Sequence, residues 1–166
     1  TTWLPCIGLT PGQVPAPDQP PAPVQVSVLD AGWEVSLLTG TGSWVGVHLT
    51  RCTGLVVVTR ATIPGLRRLE HALTLLDVPD AVVAIVGLPR RGWPKPLTGA
   101  AGARTAAALH AGRVVGVPFN NHLALHGVDP SPLPDPLVAA GRHLHEAALA
   151  WRRAPDSPTS SMKGHS

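Results

Sequence analysis

The sequence predicts an α/β protein with a mostly parallel sheet and helices on both faces, and the middle of the chain carries this prediction. Residues 55–59 and 81–86 are continuous apolar runs rich in β-branched side chains, and residues 63–76 between them have helical spacing. A parallel partner strand is reached only through a long crossover, so strand, helix, strand is the unit of a parallel sheet. Continuously apolar strands are typical of sheets that are covered on both faces.

Length and composition predict one globular domain. The chain has 166 residues, 44% of them hydrophobic and 14% charged, which is long enough for a core and too apolar for a disordered chain. The formal charge of +3 comes from dispersed basic residues and is no nucleic-acid signature. No apolar run approaches the about 20 residues that cross a bilayer.

The cysteines and the first residue bear on the cellular location of the protein and on whether the chain is processed. Cys6 and Cys52 lie far apart, which favours free cytoplasmic thiols over a disulfide or a metal site. No basic-then-apolar signal peptide opens the chain, which predicts a cytoplasmic protein. Because the first residue is Thr1 and not methionine, we expect a processed chain or a piece of a longer protein.

The two ends differ in composition from the domain between them. Residues 1–23 are rich in proline, which cannot donate to a helix or a ladder, so they are predicted to form a linker. Residues 24–153 form the predicted α/β domain, and residues 154–166 a disordered tail.

Residues 24–29 form the first predicted strand, and this strand ends on Asp30. Ligands of open α/β sheets bind just beyond the carboxyl ends of the strands, which makes Asp30 a candidate binding residue. The alternative is that Asp30 caps the following turn with its side chain.

A glycine-rich stretch, residues 39–43, precedes the central unit. It lacks the Gly-Lys-Ser/Thr of a phosphate loop, so it is predicted to be a flexible surface loop. Residues 44–49 then form a short helix or strand.

Helix signals are clear in the second half of the chain. Thr62 is placed as the N-cap of the helix 63–76, with Pro64 in its first turn. Residues 99–111 are predicted to be one alanine-rich helix and residues 113–117 the last strand. Asp135 is the predicted cap of a final helix over residues 136–151.

The loop after the strand 81–86 carries the densest positive charge. Arg90, Arg91 and Lys95 flank Trp93, a combination that suits contact with phosphates or a nucleobase. The alternative is a proline-stiffened loop whose indole packs on the domain.

Other catalytic signatures are missing from the sequence. His122 and His126 have the spacing of a helical metal pair, but the pattern is not HExxH and the segment is loop-like, so no metal site is predicted. There is no G-x-S-x-G elbow and no G-x-G-x-x-G at a strand end, which argues against a hydrolase and a nicotinamide site.

Four local matches resemble the ParA/MinD-type ATPases, the deviant-Walker class of P-loop proteins that partition chromosomes and place division sites. They are VSVLDAG at residues 26–32, CTGLVVVTRATIPGLRR at residues 52–68, VVAIVG at residues 82–87 and VVGVPFN at residues 114–120. The resemblance that they carry extends over roughly residues 24–151, which would be the carboxyl-terminal two-thirds of such a protein. The first match corresponds to the acidic motif at a strand end, and the last to the V-x-G-x-x-P strand exit beside the nucleotide base.

The resemblance implies a nucleotide site with ATP and Mg²⁺ as cofactors. In it Asp30 would contact magnesium through water, Gly32 would lie beside the nucleotide, and Pro118 and Asn120 would line the base pocket. The lysine-bearing phosphate loop has no counterpart in these 166 residues, and Gly87 stands where the family has a base-side Asn. Without the amides and the lysine that hold phosphates, we expect no appreciable ATP turnover.

Two other functions remain open on the sequence alone. The chain is alternatively a non-enzymatic α/β module that binds an acidic protein or a nucleic acid through residues 90–95, or that pairs as a homodimer. A small-molecule enzyme of flavodoxin-like architecture is the third alternative.

Overall fold

The fold is an α/β arrangement built on a three-stranded, all-parallel sheet. The computed structural model describes residues 9–17, 23, 25–40, 42–88 and 93–151. The strands β1 (Val56–Arg60), β2 (Val82–Val86) and β3 (Val114–Val117) are hydrogen-bonded in the order β1-β2-β3. The predicted α/β class and parallel pairing are therefore confirmed.

The helices connect and cover these strands. In chain order they are α1 (Val35–Gly40), α2 (Trp44–Arg51), α3 (Ile63–Leu76), α4 (Lys95–Ala100), α5 (Ala103–His110), α6 (Asn121–His126) and α7 (Asp135–Trp151). Helix α3 has the predicted bounds, and the Thr62 hydroxyl accepts the Gly65 N–H at 3.1 Å as its predicted cap. Within the described ranges no helix is long and apolar enough to cross a membrane.

The main core lies between the sheet and α3. Leu66, Leu69 and Leu73 of α3 pack in one cluster with Val83 and Ile85 of β2. This is the apolar stripe that three- and four-residue spacing predicts. Helix α7 packs against β2 and β3.

The predicted strand over residues 24–29 is wrong for the described part of that range. Residues 25–30 are irregular and exposed, with Val28 at 89% exposure. The β-branched alternation is present, but no described strand offers these residues a hydrogen-bonding partner. Strand propensity without a neighbour on the sheet does not stabilise a strand.

The predicted single helix over residues 99–111 is also wrong, because α4 ends at Ala100 and α5 begins at Ala103. Gly102 between them is extended, with φ −81° and ψ −178°. The Glu70 side chain lies against Gly102 where a Cβ would project, and it hydrogen-bonds the first amides of α5. A contact from another helix thus sets this boundary.

Two segments predicted as loops are helical or buried. The glycine-rich residues 39–43 include the end of α1, and Ser43 is 7% exposed as the N-cap of α2, where its hydroxyl accepts the Gly46 N–H. Residues 44–49 resolve as helix. The loop-like segment that holds His122 and His126 is α6.

Part of the amino-terminal proline-rich segment is packed on the domain. The Trp33 indole donates to the Leu9 carbonyl at 3.0 Å, and the Trp44 indole donates to the Val14 carbonyl at 2.8 Å. Pro11 and Val14 are buried. Residues 1–8 and 152–166 lie outside the described residues, as does Cys6.

Candidate ligand site at the carboxyl edge of the sheet

The three strands end along one rim, which is where open α/β sheets bind ligands. Beyond the last residue of β2, the Gly87 N–H still donates to the Val117 carbonyl of β3 at 2.8 Å. On the other side of β2, the Ala61 N–H donates to the Val86 carbonyl at 2.9 Å. The chain exits from all three strands therefore lie next to one another.

At the end of β1, the polar groups are already hydrogen-bonded to one another. The Thr59 hydroxyl donates to the Gly65 carbonyl at 2.9 Å, and the Thr62 hydroxyl caps the Gly65 N–H. The Leu66 N–H donates to the Thr62 carbonyl. Amides at the start of a helix can bind phosphate when they are free, and these are already satisfied.

The exit from β2 turns sharply at Gly87, whose φ is +81°. A side chain at this φ would be strained, and Phe119 packs 3.8 Å from the position that a Cβ would take. Arg90 and Arg91 of the predicted basic loop lie outside the described residues. Lys95 opens α4 and is exposed, so contact of this loop with phosphate stays a prediction.

The two residues predicted to line a base pocket, Pro118 and Asn120, follow directly after β3. Pro118 is half-buried directly after the strand. Asn120 is the N-cap of α6, since its side-chain Oδ1 accepts the Leu123 N–H at 2.9 Å. The side-chain amide N–H groups of Asn120 are not used by this cap and remain for a ligand.

A cavity of about 180 Å³ opens beside Asn120. Its lining divides into polar and apolar side chains. The polar ones are Asn120, His122, Asp129 and Ser131, and the apolar ones are Leu123, Pro132, Leu133 and Pro134. The combination suits a small ring with apolar faces and a polar edge.

Asp129 is the charged group of this cavity. His122 Nε2 donates to Asp129 Oδ2 at 2.9 Å, and the Ser131 N–H donates to Asp129 Oδ1 at 2.8 Å. The bond from His122, followed by those from Ser131, lowers the pKa of Asp129 below its usual value. Asp129 is therefore an ionised hydrogen-bond acceptor at neutral pH.

The neighbouring histidine does not complete a metal site. The rings of His122 and His126 are 4.8 Å apart on α6. No group of three or more His, Cys, Asp and Glu side chains in the described part of the chain is placed to hold a metal ion. His122 instead orients the Asp129 carboxylate.

Asp30 and Gly32 lie in the irregular segment before α1. Asp30 is exposed and makes no hydrogen bond or ion pair with the described residues, and Gly32 has no neighbouring atom within 4 Å of its Cβ position. Because Asp30 follows no strand, the reason for placing it at the rim is lost. Its role beside magnesium stays a prediction. Pro118 and Asn120 both follow β3 at the rim, but of the two only Asn120 lines the cavity described above, so the joint base pocket stays a prediction as well.

Sequence reasoning missed Asp129 and Ser131. The sequence Asp-Pro-Ser at residues 129–131 is a turn signal in which an Asp side chain accepts an N–H two residues on. That signal predicts the turn but not the pairing with His122, because the bond depends on α6.

A larger cavity, of about 250 Å³, lies between α1 and α3. Exposed charged side chains, among them Glu34, Arg67 and Arg68, line much of it. It is not at the strand ends, so the cavity beside Asn120 is the better candidate. Comparison of the chain with models of known families, with curated proteins and with solved structures finds no match.

Proposed function

We propose that this chain is a fragment or a degenerate relative of the ParA/MinD-type ATPases, and that these 166 residues bind the base of an adenine nucleotide without hydrolysing the nucleotide. The observation that carries the proposal is the cavity that opens directly after the β3 exit, beside Asn120. This exit is the part of the chain that resembles the family's base pocket.

The cavity chemistry fits one planar heteroaromatic ring. Leucine and proline side chains offer apolar surface to the ring faces. The Asn120 amide offers N–H donors, and the ionised Asp129 carboxylate offers an acceptor for an exocyclic amino group.

The size of the cavity limits the ligand. About 180 Å³ is below the range of about 300–1,000 Å³ of whole small-molecule sites. A base ring fits this volume, and the ribose and phosphates of the nucleotide would extend into solvent.

The phosphate side of the proposed site supports binding without turnover. The amides that begin α3 are satisfied by Thr62, and no Gly-Lys-Ser/Thr occurs among the 166 residues. Catalysis of phosphoryl transfer depends on positioned cations around the phosphates. We therefore expect neither a magnesium requirement nor measurable ATPase activity of these 166 residues.

The test is a thermal-shift titration with adenosine, ADP and ATP, each with and without magnesium. All three ligands should raise the midpoint temperature of unfolding equally and independently of magnesium, by about 3–5 °C when the ligand concentration is tenfold above its Kd. Asn120→Ser keeps an oxygen that caps α6 and removes the amide donors. This variant should keep its own midpoint and lose the ligand-induced shift.

The matched control is Asp30→Ala, which should shift as the unmodified protein does. A shift that needs magnesium and disappears in Asp30→Ala would instead support Asp30 as the magnesium-side acid. The absence of a shift with all three ligands would refute the base pocket.

Under this proposal the protein works in the cytoplasm, like the ATPases it resembles. A nucleic-acid or protein partner for the basic residues 90–95 is a separate prediction, because Lys95 alone of the three cations is described.

A further inference from the structure

The outer edge of β1 has no partner strand in the part of the chain that the structure describes. No described strand pairs with this edge, although Val56, Val57 and Val58 make it apolar and β-branched. Val58 is 65% exposed. Native edge strands are usually guarded by charges, proline or a bulge, and here the only charge is Arg60 at the end of the strand.

The helix layer extends beyond this edge. On α3, Glu70 and Ala72 are two residues apart and point about 200° from each other around the helix. Glu70 hydrogen-bonds α5, whereas Ala72 is 9% exposed and lines the cavity shared with α1. Helices α1 and α5 therefore flank α3 on opposite sides.

This arrangement leaves space for one more strand. Helix α3 connects β1 to β2, and α5 leads from β2 to β3 on the same face. Since α5 lies on the β3 side of α3, α1 lies on the outer side of β1. Helix α1 packs on α3 on this side, and an added strand would need only about 4.8 Å beside β1.

A segment with the pattern to fill this space is exposed in the same chain. Val26, Val28 and Leu29 are 50%, 89% and 46% exposed. None of residues 25–29 makes a backbone hydrogen bond to another described residue. The segment matches the five residues of β1 in length.

We propose that the protein forms a homodimer in which residues 25–29 of each chain add a strand to the open β1 edge of the other. Both surfaces are exposed on one chain, whose own segment does not occupy its own edge. Two identical chains that each carry both surfaces form a closed two-fold dimer by reciprocal exchange. This inference does not rest on the proposed nucleotide site, because the cavity is lined by residues that follow β3, whereas the proposed dimer surface is the free edge of β1.

Light scattering coupled to size-exclusion chromatography, from about 5 to 200 μM, tests the exchange. We expect a mass of twice 17.2 kDa at the upper concentrations. Val28→Lys and Val58→Lys change the two proposed surfaces, and each should weaken the dimer at least about tenfold, since lysine is a natural guard of strand edges. Val128→Lys is the matched control, because Val128 is 82% exposed in the loop after α6.

Each other outcome contradicts the proposal in a different way. A monomer at every concentration would overturn it, including a monomer in which hydrogen exchange shows residues 26–29 protected by their own chain. A dimer that Val58→Lys dissociates and Val28→Lys does not would mean that two β1 edges pair directly. A dimer that neither variant affects would place the interface elsewhere.

Discussion

Glu70 is the side chain through which α3 fixes the start of α5. Its Oε1 accepts the Arg104 N–H at 2.9 Å, and its Oε2 accepts the Thr105 N–H at 2.9 Å and the Thr105 hydroxyl at 2.8 Å. Burial by itself raises the pKa of Glu70, but these bonds and the charge of Arg104 together lower it below its usual value. The carboxylate thus caps a helix more than thirty residues away in the chain.

Replacing this carboxylate with an amide tests the cap. Glu70→Gln replaces one of the two acceptor oxygens with an N–H₂ group, so either the Arg104 N–H or the buried Thr105 loses its acceptor. We therefore expect a loss of about 1–3 kcal/mol of unfolding free energy. Urea denaturation at pH 7 measures it. Glu146→Gln on the exposed side of α7 is the control and should change stability by less than about 0.5 kcal/mol.

The pH dependence of that difference follows from the lowered pKa. A carboxylate whose folded pKa is depressed stabilises the fold fully above its unfolded pKa, about 4.3 for Glu, and loses this as the pH falls through the folded value. The difference in unfolding free energy between the unmodified protein and Glu70→Gln should be constant from pH 6 to 8, because a carboxyl group is fully ionised about two pH units above a pKa of about 4.3. The difference should shrink below pH 4. A gap that persists in acid would show that the charge is not what matters.

At the scale of elements, the turn from β1 into α3 depends on close backbone approach. A Cβ on Gly65 would stand 2.5 Å from the Arg60 carbonyl oxygen and 3.0 Å from the hydroxyls of Thr59 and Thr62. The strand and the helix can therefore join in this turn only without a side chain at Gly65.

An alanine pair separates this packing constraint from helix propensity. Gly141 lies inside α7 with no atom within 4 Å of its Cβ position. Gly141→Ala should stabilise the protein by about 0.5–1 kcal/mol, as alanine does in an open helix interior. Gly65→Ala should destabilise it by about 1–3 kcal/mol through overpacking against backbone. Equal effects in thermal unfolding would refute the proposed role of the turn.

At the scale of the whole molecule, the described part of the chain depends on the cluster between the sheet and α3. Leu69 is 2% exposed within it, whereas Leu125 on α6 is 79% exposed. Leu69→Ala should cost about 2–5 kcal/mol, a large share of the 5–15 kcal/mol that holds a typical domain. Leu125→Ala should cost less than about 0.5 kcal/mol. Chemical denaturation of the two variants makes the comparison, and similar losses would mean that the core lies elsewhere.

The sequence allowed the central sheet to be predicted because its signals are local. The apolar runs around Val83 and Ile85, the leucine spacing of α3 and the Thr62 cap each act within a few residues. The features that could not be predicted from the sequence depend on contacts between segments that are distant in the chain. The break at Gly102 is set by Glu70, and residues 25–30 do not form a strand because none of the described strands pairs with them.

The candidate site divides in the same way. The position of Asn120 after a strand could be predicted from the sequence, since a strand exit is a local pattern, but the helix that Asn120 caps was not predicted. The hydrogen bond between His122 and Asp129 depends on how α6 lies against the loop that follows it, and no residue spacing predicts that bond.

The attachment of residues 9–17 by Trp33 and Trp44 bears on how proline-rich sequence is interpreted. Proline lacks an N–H but keeps its carbonyl, and each indole has an N–H and no acceptor, so the two kinds of residue are complementary. Here the bonded carbonyls belong to Leu9 and Val14, which flank the buried Pro11. A proline-rich composition prevents regular hydrogen-bond ladders but keeps every backbone carbonyl as an acceptor. Tryptophans elsewhere in a sequence are therefore the residues to consider when asking whether such a segment packs on its domain.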